Sequence, residues 1–450
     1  MDNNFPNSWK LLPLENCMEA IIDYRGKTPR KSSFGIPLIT AKIVKGGRIL
    51  EPNEFIPVED YDDRMQRGIP KAGDIVVTTE APLGEVGQLD GRKLSVGQRL
   101  ITLRGKDGLL DNTFLKFLLM SEFVQNQIQA RGTGTTVIGI KQKELRKISL
   151  PLPPIDEQRA IARILGALDD KIELNRRMNR TLEEMARALF KAWFVDFDPV
   201  AAKAEGRLPF GMRAETAALF PAEFEETASE DFPVIPKGWA QGTFGDIAEN
   251  IRRGISPKNI APDMPYIGLE HMPRKDIALS EWGWAGDVTS NKFEFKKGEI
   301  LFGKLRPYFH KVGVASVDGV CSTDVLVVSP KSPEYFGLLL GHVSSVDFVN
   351  FVDAASEGTK MPRTNWETMA RFPIAIPGEK LSEAFTRTIT PMIGRIHANI
   401  SESRTLAAIR DALLPKLLSG EVRVNNGYPK GTMWPSANPA EERGASRTSA

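Results

Sequence analysis

Cysteine is almost absent from the chain. Its 450 residues hold two, Cys17 and Cys321, far apart and without a Cys-x-x-Cys neighbour. A disulfide framework and a cysteine zinc site are both disfavoured, and a reducing cytoplasm fits best. Long apolar runs are missing too: no stretch approaches the ~18 residues that span a bilayer. The start, Met1-Asp2-Asn3-Asn4-Phe5-Pro6, has neither the basic nor the apolar region of a secretory signal. Charge of one sign is also lacking, since 59 Lys and Arg face 57 Asp and Glu for a net +2. Such balance argues against a non-specific polycation coat and leaves room for local basic loops.

Catalytic constellations are missing as well. Residues 298–304 have Walker A spacing, but Leu305 stands where Ser or Thr would bind Mg²⁺, and the interior reads as a strand. There is no Gly-x-Gly-x-x-Gly pattern. Pro151-Leu152-Pro153-Pro154 lacks the polar and aromatic members of a motif that grips a flipped base. The four histidines, His271, His310, His342 and His397, show no ligand spacing, and we assign no metal site. Pro262-Asp263 with Glu294-Phe295-Lys296 matches a nuclease pattern only at a looseness that chance supplies. The absence of an acid-base-nucleophile constellation points to binding rather than catalysis.

What the chain does contain is a repeat. Residues 134–194 and 358–418 align at a constant offset of 224 with no gap, including Gly134/Gly358, Pro153/Pro377, Ile172/Ile396, Asn175/Asn399 and Leu182/Leu406. Upstream, with small shifts of register, Trp9 answers Trp239 and Arg25-Gly26-Lys27-Thr28-Pro29 answers Arg253-Gly254-Ile255-Ser256-Pro257. Lys71-Ala72-Gly73-Asp74-Ile75 answers Lys296-Lys297-Gly298-Glu299-Ile300. Each copy opens with short β-prone runs (74–79 and 100–103; 300–302 and 325–328) punctuated by Gly, Pro and Asp.

Each copy closes on a heptad pattern. Ile161, Leu165, Leu168, Ile172, Asn175, Asn179, Leu182, Ala186 and Leu189 recur at alternating spacings of 4 and 3, and Phe385, Ile389, Met392, Ile396, Asn399, Ser403, Leu406, Arg410 and Leu413 hold the same places in the second copy. Pro391 predicts a break or kink in the second helix. Asn175 and Asn399 either fix register at a cost in stability or lie at solvated edges. The expected fold is α+β: two mixed strand-rich modules, each followed by a long helix, with the helices paired as an antiparallel coiled coil. The expected divisions are a module at 9–153, a helix at 154–197, an acidic, Pro-containing connector at 198–236, a module at 237–377, a helix at 378–424 and a disordered tail at 425–450.

Two similar modules on antiparallel struts give two reading heads. About 30 helical residues at 1.5 Å each make a strut near 45 Å, which suits half-sites about one turn of B-DNA apart. Leu150-Pro151-Leu152-Pro153-Pro154-Ile155-Asp156-Glu157-Gln158, followed by a helix ending in Thr181-Leu182-Glu183-Glu184-Met185-Ala186-Arg187-Ala188-Leu189-Phe190-Lys191-Ala192-Trp193-Phe194, resembles the central conserved region of type I restriction-modification specificity subunits. The close of the second helix, Leu413-Leu414-Pro415-Lys416-Leu417-Leu418-Ser419-Gly420-Glu421, is similar to their distal conserved region. The likeness covers about 9–424. Pro377-Gly378-Glu379-Lys380 departs from Pro153-Pro154-Ile155-Asp156-Glu157-Gln158, so the family's contacts through this segment transfer less safely to the second copy.

The resemblance implies a non-catalytic subunit with two target-recognition domains, each reading half of a bipartite double-stranded DNA target. It implies methyltransferase subunits, two of them, and a restriction and translocase subunit, with S-adenosylmethionine, ATP and Mg held by those partners and no cofactor in this chain. No membrane partner is expected. The alternatives are a self-contained methyltransferase-nuclease, which the missing motifs disfavour, and a structural coiled-coil adaptor, which the repeated basic loops disfavour. For DNA contact we select Arg25, Lys27, Arg30 and Lys31 in the first module and Arg252, Arg253 and Lys258 in the second. Secondary candidates are Lys304, Arg306, Tyr308, Lys360, Arg363 and Asn365, with Lys141 and Lys143, which otherwise solvate the approach to the helix. For partner docking we select exposed flanks at Glu157, Gln158, Arg159, Trp193 and Phe194, the last two serving equally as a cap on their own module.

Overall fold

The computed structural model describes residues 5–356, 358 and 361–424; candidate Lys360 and the tail at 425–450 lie outside them. The chain divides into two units, residues 1–170 with 406–450 and residues 171–405. The divisions therefore differ from the expected linear order, because each long helix contributes to both units.

In the first unit a four-stranded antiparallel sheet runs in the order Met18–Asp23, Leu100–Gly105, Ile75–Thr79, Leu83–Gln88. Ile75, Val76 and Val77 are all buried, so this strand is covered on both faces and its apolar residues run without alternation. Helices Asn112–Met120 and Glu122–Ala130 follow. Each starts on a side-chain cap: the Phe114 N–H donates to Asp111 and the Val124 N–H to Ser121. A small ladder joins Lys10–Pro13 to Ser149–Leu152 directly before the first long helix.

The second unit repeats this plan. Its sheet order is Ala248–Ile251, Val325–Pro330, Ile300–Gly303, Val312–Val314, and Ala240–Thr243 pairs with Pro373–Ile376. Ser345 caps Val346–Ala354 as Ser121 caps its counterpart. Even the parallel pairing of Ile36–Ile39 with Ser95–Val96 recurs between Pro265–Ile267 and Gly319–Cys321. The duplication is thus one of topology. The connector is ordered in part: Asp198–Ala204 is helical, Phe224–Glu226 pairs with Val234–Pro236, and Val200, Phe220 and Ile235 join the second unit's core.

The long helices span Ile155–Phe194 and Glu379–Ser419, 40 and 41 residues. Within each unit the start of one lies with the end of the other, so the pairing is antiparallel. Ile161 and Leu165 pack in one core with Leu417 and Leu418 in the first unit, while Phe194 meets Phe385 at 4.8 Å in the second. The predicted break at Pro391 is absent. Pro391 and Arg387, whose carbonyl loses its N–H partner, are both exposed, so water can satisfy that carbonyl and the helix continues. The seam departs from the heptads at several places: Ile393, Phe190 and Glu183 are buried where Met392, Leu189 and Leu182 are only half-buried. Leu168, Leu182, Leu189, Leu406 and Leu413 are half-buried; Ile172, Ile389 and Ile396 are buried.

Both asparagines lie inside the seam of the second unit. Asn175 Nδ2 donates to Glu402 at 2.9 Å and to Ser403 at 3.2 Å, and Asn399 Nδ2 donates to Asn179 at 2.8 Å. Solvated edges are therefore excluded for this pair, and the polar contacts tie one helix to the other at a fixed register.

Candidate nucleic-acid interface

In each unit a turn after the central strand meets the Gly-Thr loop that precedes the long helix. In the first unit the Ile140 N–H donates to the Thr79 carbonyl at 2.9 Å, and a hairpin closes between Thr133 and Gly139. In the second the Thr364 N–H donates to the Lys304 carbonyl at 3.0 Å and the Arg306 N–H to Pro362 at 2.7 Å. Both turns place a non-glycine residue at positive φ directly before proline: Ala81 at 46° and Arg306 at 52°. Such backbone costs about 1–3 kcal/mol and persists where the surroundings over-determine it, most often at functional sites. Here it has survived duplication.

The structure brings some candidates together and ties others down. Arg25 is exposed, and its Nη2 donates to the Ile140 carbonyl at 3.0 Å, joining the Arg-Gly turn to the Gly-Thr hairpin beside exposed Lys141 and Lys143. Lys27 is half-buried, its Nζ 3.3 Å from the Asp63 carbonyl. Arg30 forks onto Asp60 and Glu59 at 2.9 Å each, and Lys31 pairs with Glu54 at 2.8 Å. These last two cations already have acidic partners at the surface.

In the second unit Arg252 and Lys258 are exposed, but Arg253 is half-buried in an ion pair with Glu299. Lys304 and Arg306 are half-buried at the strand end, and Tyr308 is exposed. Arg363 pairs with Asp324 at 3.4 Å. Asn365 caps helix Trp366–Ala370 by accepting the Thr368 N–H at 2.8 Å, a role the sequence pattern did not reveal.

Sequence reasoning also missed neighbours of these turns. Arg274 lies over the Phe309 ring at 3.8 Å, Tyr308 packs edge-on to that ring at 4.7 Å, and in the first unit Val137 and Ile138 are about half exposed on the hairpin. Arg274 and Phe309 are distant in sequence, and no spacing rule joins them. His310 is held neutral, its pKa lowered by burial, and its Nε2–H donates to the Ser344 carbonyl at 3.0 Å, anchoring the turn.

The docking candidates need correction. Glu157, Gln158, Trp193 and Phe194 are buried in their own units, not exposed flanks. Glu157 takes a two-pronged contact from Arg423 at 2.7 and 2.9 Å, and Gln158 locks the helix start onto Leu109, Asp111 and Pro153. Trp193 and Phe194 pack against Phe385, because a helix end carrying two large apolar side chains is most stable with both removed from water. Arg159 alone is exposed, on a groove with Arg163, Gly166 and Asp170.

The type I restriction modification DNA specificity domain matches residues 11–184. The type I restriction enzyme HindI specificity subunit of Haemophilus influenzae is 26% identical, covering 82% of this chain and 90% of its own length. The MjaIX specificity subunit of Methanocaldococcus jannaschii is also 26% identical, over 93% of this chain and 94% of its own. The chain is similar to type I restriction enzyme specificity subunits. The crystal structure of a type I restriction-modification S subunit from M. genitalium shares the fold of this chain at a TM-score of 0.54, with 16% identity over 93% of this chain and 97% of that one. Among the described residues no group of His, Cys, Asp and Glu is arranged to hold a metal ion, and no helix is by itself long and apolar enough to cross a membrane.

Proposed function

We propose that this chain is the DNA-sequence-specificity subunit of a type I restriction-modification complex, each unit reading one half of a bipartite target. The observation that carries this reading is the duplicated tip: in each unit a residue at positive φ directly before proline follows the central strand, and the two tips present different side chains. A frame kept constant while its tip varies is what sequence discrimination requires, since phosphate contacts position a protein and base-edge contacts specify. Arg25, Lys141 and Lys143 in one unit, and Arg252, Lys258, Lys304, Arg306 and Tyr308 in the other, are the residues we assign to DNA. Arg30, Lys31, Arg253 and Arg363 would have to exchange acidic partners for phosphate.

On this reading the chain is non-catalytic and works in the cytoplasm. Two methyltransferase subunits supply S-adenosylmethionine chemistry, and a restriction and translocase subunit uses ATP and Mg. The groove at Arg159 is the surface we assign to a partner. The test is co-purification of the tagged chain from its native cell, with protection of DNA fragments by the purified assembly. Sequence-dependent protection in the presence of a co-purifying methyltransferase is expected. A chain that purifies alone and protects no sequence would overturn the assignment.

A further inference from the structure

The second unit builds something at its tip that the first lacks. Two segments distant in sequence, the loop at 272–276 and the turn at 304–310, are tied together by the Lys275 N–H donating to the His310 carbonyl at 2.9 Å. Lys275 takes a positive φ of 58° to make this bond, and His310 is in turn anchored on Ser344. This frame lays the Arg274 guanidinium on the Phe309 ring at 3.8 Å, with Tyr308 edge-on to the same ring and 50% exposed. Arg274 is exposed and, among the described residues, makes no hydrogen bond or ion pair. Arg253 and Arg363, by contrast, have their donors turned onto Glu299 and Asp324.

We propose that Arg274 is the guanine-reading residue of the second unit, with Tyr308 packing against the adjoining base pair. This rests on the DNA-reading function proposed above. A guanidinium offers a rigid fork that matches the O6 and N7 acceptors of guanine in the major groove. Stacking on Phe309 removes rotamer freedom in advance, so less ordering is lost on binding. Among its described residues the first unit has no such platform. At the offset of 225 that aligns Ile75 with Ile300, Leu83 and Gly84 stand in place of Tyr308 and Phe309, and Ala81 in place of Arg306. Its facing loop carries Gly46 and Gly47, and its hairpin exposes apolar Val137 and Ile138. Guanine reading by this route therefore belongs to one half of the target only.

The experiment is selection of the full chain, assembled with any partners that co-purify, on a randomised duplex library, for wild type, Arg274→Ala and Arg274→Lys. Circular dichroism and thermal melting establish that each variant folds. Wild type is expected to select two fixed blocks. Both variants are expected to lose guanine preference in one block by roughly 5- to 150-fold, with the other block unchanged. Arg274→Lys keeps the charge and hence affinity while losing the fork, so affinity and discrimination separate. If wild type selects two blocks and the variants leave both intact, the Arg274 assignment fails and DNA reading stands. A loss spread evenly over all sequences and restored by Arg274→Lys would make Arg274 a phosphate contact and also overturn the assignment. Selection of no block by wild type would overturn the proposed function and this inference together.

Discussion

Asp169 offers the sharpest test of how the repeated frame is stabilised. In the first unit its carboxylate accepts from Lys116 Nζ and from Arg410 Nη1 at 2.8 Å, and the three side chains are 14%, 9% and 19% exposed. At the constant offset of 224 the matching positions are Ile393, Leu340 and Ala186. There Leu340 and Ile393 are buried in the second unit's core, with Ala186 packed against it. One fold thus solves the same packing problem once with charges and once with hydrocarbon. Asp169→Ala leaves two cations facing each other in a poorly solvated space. Breaking a buried ion pair costs about 3–5 kcal/mol; Arg410 also reaches Asp411 at 2.7 Å, which places the cost near the lower end, about 3 kcal/mol. For a unit of this size each kcal/mol moves the melting temperature by about 2–4 °C, so calorimetry should register a fall of about 6–12 °C. The triple variant Lys116→Leu, Asp169→Ile, Arg410→Ala installs the other unit's solution and is expected to melt near wild type or above it, because replacing buried charges together by packed apolar groups is often neutral or stabilising. A triple variant as unstable as Asp169→Ala, or an Asp169→Ala protein that melts within about a degree of wild type, as a surface pair would, refutes this reasoning.

Three further outcomes follow from buried polar groups. Gln158→Ala removes an acceptor for the Asp111 N–H and a donor to two carbonyls at a fully buried site, so chemical denaturation should show a loss of about 2–3 kcal/mol, with Gln158→Glu no better. Asn399→Ala and Asn179→Ala should each destabilise by about 1–2 kcal/mol, and the double variant by less than their combined effect; full additivity would mean the 2.8 Å contact is not formed in solution. Burial, and Asp276 beside it, raise the pKa of Glu183 well above the carboxylate range; its Oε2 accepts the Ile277 N–H. The folded chain keeps a proton that the unfolded chain releases above about pH 4.3, so this group's contribution is full in acid and is lost as pH rises. Glu183→Gln should therefore match wild type near pH 4 and exceed it increasingly toward pH 8 in melting experiments; an advantage that shrinks with rising pH would contradict the assignment.

Much of the frame was legible in the residues. The strands at 75–79 and 300–303 sit where uninterrupted apolar runs are bounded by Gly-Asp-Ile and Gly-Glu-Ile. The paired helices follow from the 4-and-3 spacing, whereas their antiparallel sense is set by the fold, since heptads serve either orientation. Pro391 misled because its effect depends on whether the orphaned carbonyl faces water, and periodicity does not report that. Trp193 and Phe194 read in sequence as either a partner contact or a cap on their own module, and the second unit's core makes them the cap; a large apolar pair at a helix end looks the same in sequence either way.

The candidate site was read less well. Turn signals and the repeat mark the loops of Arg25 and Tyr308, whereas the contact of Arg274 with Phe309 joins two loops distant in sequence.

By itself the sequence determined the duplication, the α+β class and the helical seam, since these rest on local pattern. Only the tertiary structure decided which cations are occupied. Whether Arg253, Arg30 or Arg274 has donors to spare depends on acids and rings brought from distant segments, and such pairings are set by the fold's topology, not by neighbours along the chain.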